Sequence, residues 1–326
     1  MKLLVTGVAG FVGGHLVGYL GREHPGVEVF GLVRPGSAVE LPARVARVEA
    51  DLEDAAAVET LLEAVRPDRI VHLAAQSSVH RSWLDPEATL RANVHGLLHL
   101  LEAVRKRSLS PRVLVVGSAE EYGLVEPRSL PLREDAPLRP NSPYAVSKVA
   151  QGFLALQYSL SFGMGVVRTR TFGHTGPGRG EAFAESSFAR QLAAIEAGLQ
   201  RPVIQVGNLE VVRDFADVRD VVRAYWALLE NGDPGEVYNV CTGRGVRMRE
   251  LLQRLVEIAG LDVEIRLDSE RLRPSDVPAL VGDPGRLVEA TGWQPVLSLE
   301  RTLRDLLEDW RARLAAGAPE GRPRPM

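Results

Sequence analysis

Residues 6–13 read TGVAGFVG, directly after the apolar run Lys2–Thr6 and at the head of a helical pattern over Phe11–Leu20. No other feature of the chain constrains its fold as much as this loop. Gly7 permits a tight strand-to-helix turn, Gly10 lets backbone approach a pyrophosphate, and Gly13 allows close packing of helix on strand. Phe11 and Val12 open the helix, whose free N-terminal amides stabilise phosphate charge. The pattern therefore predicts a dinucleotide site at Gly7, Gly10, Phe11, Val12 and Gly13. A tight turn without a ligand is the plainer reading of the same glycines.

The rest of the first half repeats the alternation. Val27–Val33, Ala43–Glu49, Ile70–Ala74, Val113–Val116 and Val166–Thr169 read as strands, and Ala55–Val65, a segment from about Asp85 to Arg107, and Pro143–Phe162 as helices. Ser142 before Pro143 is a good helix start. Strands alternating with helices predict a doubly wound parallel sheet of the α/β class. Beyond about residue 170 the elements shorten and proline increases. Short strands are expected at Arg201–Val206, Glu236–Val240, Val263–Leu267 and Arg273–Val277, and helices at Phe188–Gly198 and Arg249–Ala259. We thus expect a dinucleotide-binding domain over 1–170 and a smaller α/β C-terminal region over 171–315. Val211–Leu229 reads as a return toward the first domain within about 207–240, and a disordered tail is expected from 316 to 326.

Leu3–Leu20 carries no charged side chain and imitates a signal peptide, yet its five glycines, Thr6, His15 and missing cleavage pattern argue against one. With Cys241 the only cysteine, no intrachain disulfide can form. These features predict a soluble cytoplasmic protein with no membrane partner. A net charge of −3 gives no general attraction to nucleic acid. His15, His95 and His99 lack partners at metal-ligand spacing, so no metal is expected, and His72 reads as a packed strand residue.

Cofactor choice is read at the end of the second strand, where a carboxylate would favour NAD and an arginine NADP. Arg34 stands there, so NADP(H) is preferred and NAD(H) remains possible. Asp51 and Leu52 follow the third strand, where Asp51 either contacts adenine or caps the next helix. A second signal is Tyr144-x-x-x-Lys148. Positions i and i+4 share a helix face, so phenol and ammonium lie on one side, and a nearby cation lowers a phenol pKa. Only Lys2, Lys106 and Lys148 are lysine among 39 basic residues, so an interior lysine stands out.

Together with Ser118 just past a strand, these residues resemble the extended short-chain dehydrogenase/reductase family acting on nucleotide sugars. The resemblance implies that Tyr144 exchanges a proton with the sugar, Ser118 hydrogen-bonds the same oxygen, and Lys148 holds the nicotinamide ribose. His72-Leu73-Ala74-Ala75 resembles the segment lining the cofactor cleft, which adds Leu73, Ala74 and Ala75 to the cofactor residues. Asn93 falls where the family has a structural asparagine.

Several segments are similar to the GDP-mannose branch: GSAEEYG over 117–123, VGNL over 206–209, RDF over 213–215 and RPSDV over 273–277. They imply a GDP-sugar substrate held by Asn208, Arg213, Arg273 and Asp276, with the arginines as diphosphate clamps. Surface ion pairs are the simpler role for those arginines. Ser77 and Ser78 either touch the hexose or cap the next turn. The branch implies one of two reactions: reduction of a GDP-4-keto-6-deoxy sugar with NADPH, which we favour, or 4,6-dehydration of GDP-mannose. Dehydration needs an acid/base beyond Tyr144, a role for Glu120; in the reductase Glu120 would bind substrate. Gly173 stands where the branch has asparagine. A UDP-sugar 4-epimerase and a silent dinucleotide sensor are further alternatives. The helices around 85–107 and 143–162 resemble those pairing in the family's homodimer.

Overall fold

The computed structural model describes residues 1–272 and 277–317 of the 326-residue chain. Arg273 and Asp276, most of the strand expected over Arg273–Val277, and nearly all of the expected disordered tail lie outside the described residues. The first half runs β1 (Lys2–Thr6), α1 (Phe11–Glu23), β2 (Glu28–Val33), β3 (Val45–Glu49), α2 (Ala55–Val65) and β4 (Arg69–His72). It continues through α3 (Val79–Leu84), α4 (Pro86–Leu90), α5 (Gly96–Lys106), β5 (Arg112–Ser118), α6 (Pro143–Phe162) and β6 (Val166–Thr171). Next come β7 (Gly173–Thr175), α7 (Ala184–Glu196), β8 (Val203–Val206), β9 (Val212–Asp217), α8 (Val218–Asn231) and β10 (Val237–Val240). The last elements are β11 (Gly245–Arg247), α9 (Met248–Ala259), β12 (Glu264–Leu267), β13 (Ala279–Leu280), α10 (Gly285–Thr291) and α11 (Leu299–Ala315).

Seven parallel strands form the central sheet in the order β10-β6-β5-β4-β1-β2-β3. Successive side chains of a strand face opposite ways, and both faces here are apolar because both are covered. Leu3 and Val5 of β1, with Val29, Val71, Leu114 and Val167, pack under α1 and α8. Leu4, with Ile70, Val113, Val115 and Val166, packs under α2, α5 and α6. The fold is thus a doubly wound α/β sheet. The strand expected at Glu236–Val240 is β10, the edge strand beside β6, and α8 and α10 roof the neighbouring face.

The segment from Asp85 to Arg107 is not one regular helix. A π-helical turn over Arg91–His95 joins α4 to α5 and turns Asn93 into the interior. Val211–Leu229 also divides: α8 packs on α1, but β9 leaves the central sheet and pairs with β7, β11 and β13 in a small second sheet. A separate core of α7, α9, α11 and β8 lies beneath it, around Phe188, Leu251, Leu306 and Trp310.

Candidate active site

The glycine loop is built for a backbone-lined cradle. Gly7 has φ +72°, and a Cβ there would sit 2.8 Å from the Ala74 amide; a Cβ on Gly13 would collide with the Val8 and Gly7 carbonyl oxygens. Gly10 caps α1 with no side-chain hydrogen bond, and the first turn contains no acid, so its amides face out uncompensated. Thr6 at the end of β1 ties this loop to the next one: its hydroxyl accepts the Ala74 amide at 3.2 Å and contacts His72 Nδ1 at 3.0 Å. His72 is buried, and burial pushes its imidazole down to about 3. These features fit a dinucleotide diphosphate against Gly7, Gly10, Phe11, Val12 and Gly13, beside Leu73, Ala74 and Ala75.

The other cofactor candidates lie at the strand ends. Arg34 follows β2 and is exposed. Asp51 accepts the Glu53 amide at 3.0 Å in the turn before α2, but it does not cap that helix: Asp54 does, accepting the Ala56 and Ala57 amides. Leu52 packs on Gly96, and its carbonyl receives His99 Nδ1 at 2.7 Å.

Ser142 starts α6 by accepting the Ala145 amide, which aims Tyr144 and Lys148 along one buried face. Ser118 closes β5, one strand over, and its hydroxyl hydrogen-bonds Tyr144. Burial pushes the Tyr144 phenol up to about 12; Ser118 and Arg179 pull against this, while Glu120 and Glu121 add to it. The expected lowering of the phenol by Lys148 is absent. The lysine head turns down instead, donating to the Val116 carbonyl at 2.9 Å and to Gln151 Oε1 at 2.8 Å. Burial lowers Lys148 to about 8, with Glu121 raising it.

The cation acting on Tyr144 is one the sequence reading passed over. Arg179 lies in the turn Gly176–Gly180, where Gly176 and Gly178 have φ +146° and +89°. Its guanidinium sits over Phe11 at 4.9 Å and Phe183 at 3.3 Å, 3.6 Å from Glu185. Phe11 also stacks on His174, with ring centroids 6.1 Å apart. An arginine inside a glycine-rich run was the available signal.

Glu120 and Glu121 part company after β5. Glu121 turns inward beneath the sheet end, whereas Glu120 is partly exposed on the Tyr144 side. Ser77 is exposed and Ser78 caps α3 by accepting the Arg81 amide.

A second concavity begins just past Arg179. It holds about 680 Å³ and is lined by Glu181, Ser187, Arg190, Gln205, Arg266 and Arg271, among others. Gly207, just before Asn208, packs against the backbone of Arg271, one of the lining residues. Arg213 donates to the Val212 and Val277 carbonyls. The residues after it do structural work: Asp214 is buried and accepts the Thr242, Gly243 and Gly282 amides. Among the described residues, no group of His, Cys, Asp and Glu is placed to hold a metal, and no helix is long and apolar enough to cross a membrane.

A glycine loop at the centre of a doubly wound sheet, with Ser118, Tyr144 and Lys148 converging beside it, defines an extended short-chain dehydrogenase/reductase. The family model described as GDP-mannose 4,6 dehydratase matches residues 4–306. The chain belongs to the GDP-mannose 4,6-dehydratase family. It is 39% identical to the GDP-6-deoxy-D-mannose reductase of Pseudomonas aeruginosa, over 96% of this chain and 98% of the relative. Identity to the GDP-mannose 4,6-dehydratase of Yersinia enterocolitica is 30%, covering 94% and 92%. Among solved structures, RMD from Pseudomonas aeruginosa complexed with NADPH superposes with a TM-score of 0.84 at 38% identity, covering 96% of this chain and 99% of that one.

Proposed function

We propose that this protein reduces the 4-keto group of GDP-4-keto-6-deoxy-D-mannose with NADPH, giving GDP-D-rhamnose. The observation that carries the reading is the Ser118–Tyr144 pair at the edge of the glycine-loop cleft, with Tyr144 held protonated by burial. A ketone reduction needs one hydride and one proton. The glycine loop over Gly7, Gly10 and Gly13 would hold NADPH, which would supply the hydride for carbon 4. Tyr144 donates its proton to the carbonyl oxygen, which Ser118 orients through its hydroxyl. Lys148 would hold the nicotinamide ribose, and Arg34 would meet the 2′-phosphate. The higher identity to a reductase than to the dehydratases supports the same choice.

The sugar nucleotide is assigned to the arginine-lined cavity past Arg179. Arg190 and Arg271 line it; these two, with Asn208 and Arg213, and with Ser77, Ser78 and Glu120 toward the hexose, are the candidate contacts. On this reading residues 1–170, with α8 and β10, bind the cofactor, and residues 171–315 mainly bind the substrate. GDP-mannose 4,6-dehydration is the second reading, favoured by the position of Glu120 beside Tyr144. NADPH oxidation on adding GDP-4-keto-6-deoxy-D-mannose, with none on adding GDP-mannose, is the expected result. Conversion of GDP-mannose to a keto sugar without net cofactor use would replace reduction by dehydration.

We also read the protein as a cytoplasmic homodimer. Val146, Phe153, Leu160 and Phe162 of α6 and Trp83 and Leu84 of α3 are exposed apolar side chains. A second copy covering them would form the helical interface. Light scattering at micromolar concentration is expected to give twice the 35.5 kDa chain mass.

A further inference from the structure

Directly under the proton-transfer site lies a buried ion pair that the reaction itself does not use. Glu121, in the turn after β5, is 5% exposed at its side chain, and Arg170 of β6 is 7% exposed. One carboxylate oxygen accepts the Ser118 amide at 2.8 Å, and the other accepts Arg170 Nε at 3.1 Å. Gly117 leaves the room for it, since a Cβ there would strike the carboxylate and the Thr169 carbonyl. Gly152 of α6, one turn beyond Lys148, passes over its other side: a Cβ there would be 3.7 Å from Oε2. Arg170 is fixed in turn by the Glu134 carbonyl and the Tyr122 hydroxyl and ring.

Both contacts to the carboxylate are donors, an arrangement that favours its charged form. Burial is the largest influence and leaves its carboxyl raised, while Arg170, the Ser118 amide and Lys148 pull against it. The groups facing Lys148 come from three elements: His72 at the end of β4, Tyr144 one turn earlier on α6, and Glu121. The first two are neutral at physiological pH, so among the described residues Glu121 is the charged one.

We propose that Glu121, anchored by Arg170, is a positioning residue that keeps Lys148 an ammonium and fixes the Ser118 backbone at the reacting carbonyl. What Lys148 then does rests on the reductase reading; the charge relationship itself does not. Burying a charge carries a large desolvation cost unless a partner offsets it. The Glu121–Arg170 pair extends that offset to the lysine.

The chain's three lysines make the test direct. Protein carrying ¹³Cε-lysine gives three resonances, and Lys148→Arg identifies the third. In the cofactor-free wild type, the Lys148 signal is expected to titrate near 8. In Glu121→Gln it should titrate about one pH unit lower, the effect of removing one close opposite charge. Glu121→Gln/Arg170→Gln removes both members of the pair, so Arg170 is not left buried without its carboxylate, and keeps the fold testable if the single variant does not fold. It should move the signal in the same direction. An unchanged Lys148 titration in either folded variant overturns the proposal, whatever happens to melting temperature. If the protein reduces the keto sugar, the alkaline limb of kcat/KM should shift by the same amount. Absence of all activity with a shifted lysine would instead sink the reductase reading alone.

Discussion

Asn93 donates a hydrogen bond to the Ser147 hydroxyl at 2.8 Å, joining the π-helical turn to α6 across 54 residues of sequence. Ser147 passes the tie on by donating to the Tyr144 carbonyl at 2.7 Å. Asn93 also clamps the loop after β4, accepting the Gln76 amide and donating to the Gln76 carbonyl. One buried amide thus sets the spacing between the cofactor loop and Tyr144. Asn93→Ala should cost about 2–3 kcal/mol in urea unfolding, because it strands buried partners on both elements. Turnover should fall as well, since Tyr144 loses its reference to the cleft.

Tyr144→Phe removes the proposed proton donor and leaves the ring in place. We expect kcat to fall by about 10²–10⁴ while NADPH binding, followed by its fluorescence, changes little. A variant retaining full turnover would mean that the proton comes from elsewhere.

Cofactor affinity should depend on pH through Lys148. The ammonium is present below about 8 and is lost as pH rises through that value. NADPH should therefore bind more weakly above pH 8, and turnover should decline along the same limb. Tyr144, pushed up to about 12, stays protonated throughout, so it contributes no limb between pH 6 and its own titration. In Lys148→Arg the cation does not titrate, so the alkaline weakening of binding should vanish.

Arg34→Ala should weaken NADPH binding by about tenfold or more, the value of a charge-assisted phosphate contact. NADH binding should stay nearly constant. Equal weakening of both would place the arginine away from the 2′-phosphate.

Gly13→Ala tests the cradle from the other side. Its methyl group would run into two carbonyl oxygens of fixed backbone, so the loop must move. About 1–3 kcal/mol of stability should be lost, and dinucleotide affinity should fall with it.

Much of this was legible in the sequence because it depends on local rules. The glycine spacing, the Ser142-Pro143 helix start and the Tyr144–Lys148 pair each reappear at their expected elements. What escaped depends on contacts distant in sequence. The inward turn of Glu121 requires Arg170 on a neighbouring strand, and no periodicity distinguishes it from Glu120. Lys148 was expected to act on the phenol beside it, but its long stem reached the Val116 carbonyl. Arg179 gained its place from Phe11 and Phe183, far from it or outside any regular pattern.

The path of the chain through the two halves has a mechanical consequence. After β6 it leaves for the small sheet, comes back as α8 and β10 to complete one edge and one roof of the central sheet, then departs again. Cutting after residue 170 would strip Val221, Tyr225 and Leu228 from the face holding Leu3, Val5 and Leu114. Neither half is a detachable module, so the walls of the cleft should melt together in one calorimetric transition. Closing the cleft on a substrate must then bend several connections at once, which favours small, stiff movements over the wide swing of a single hinge.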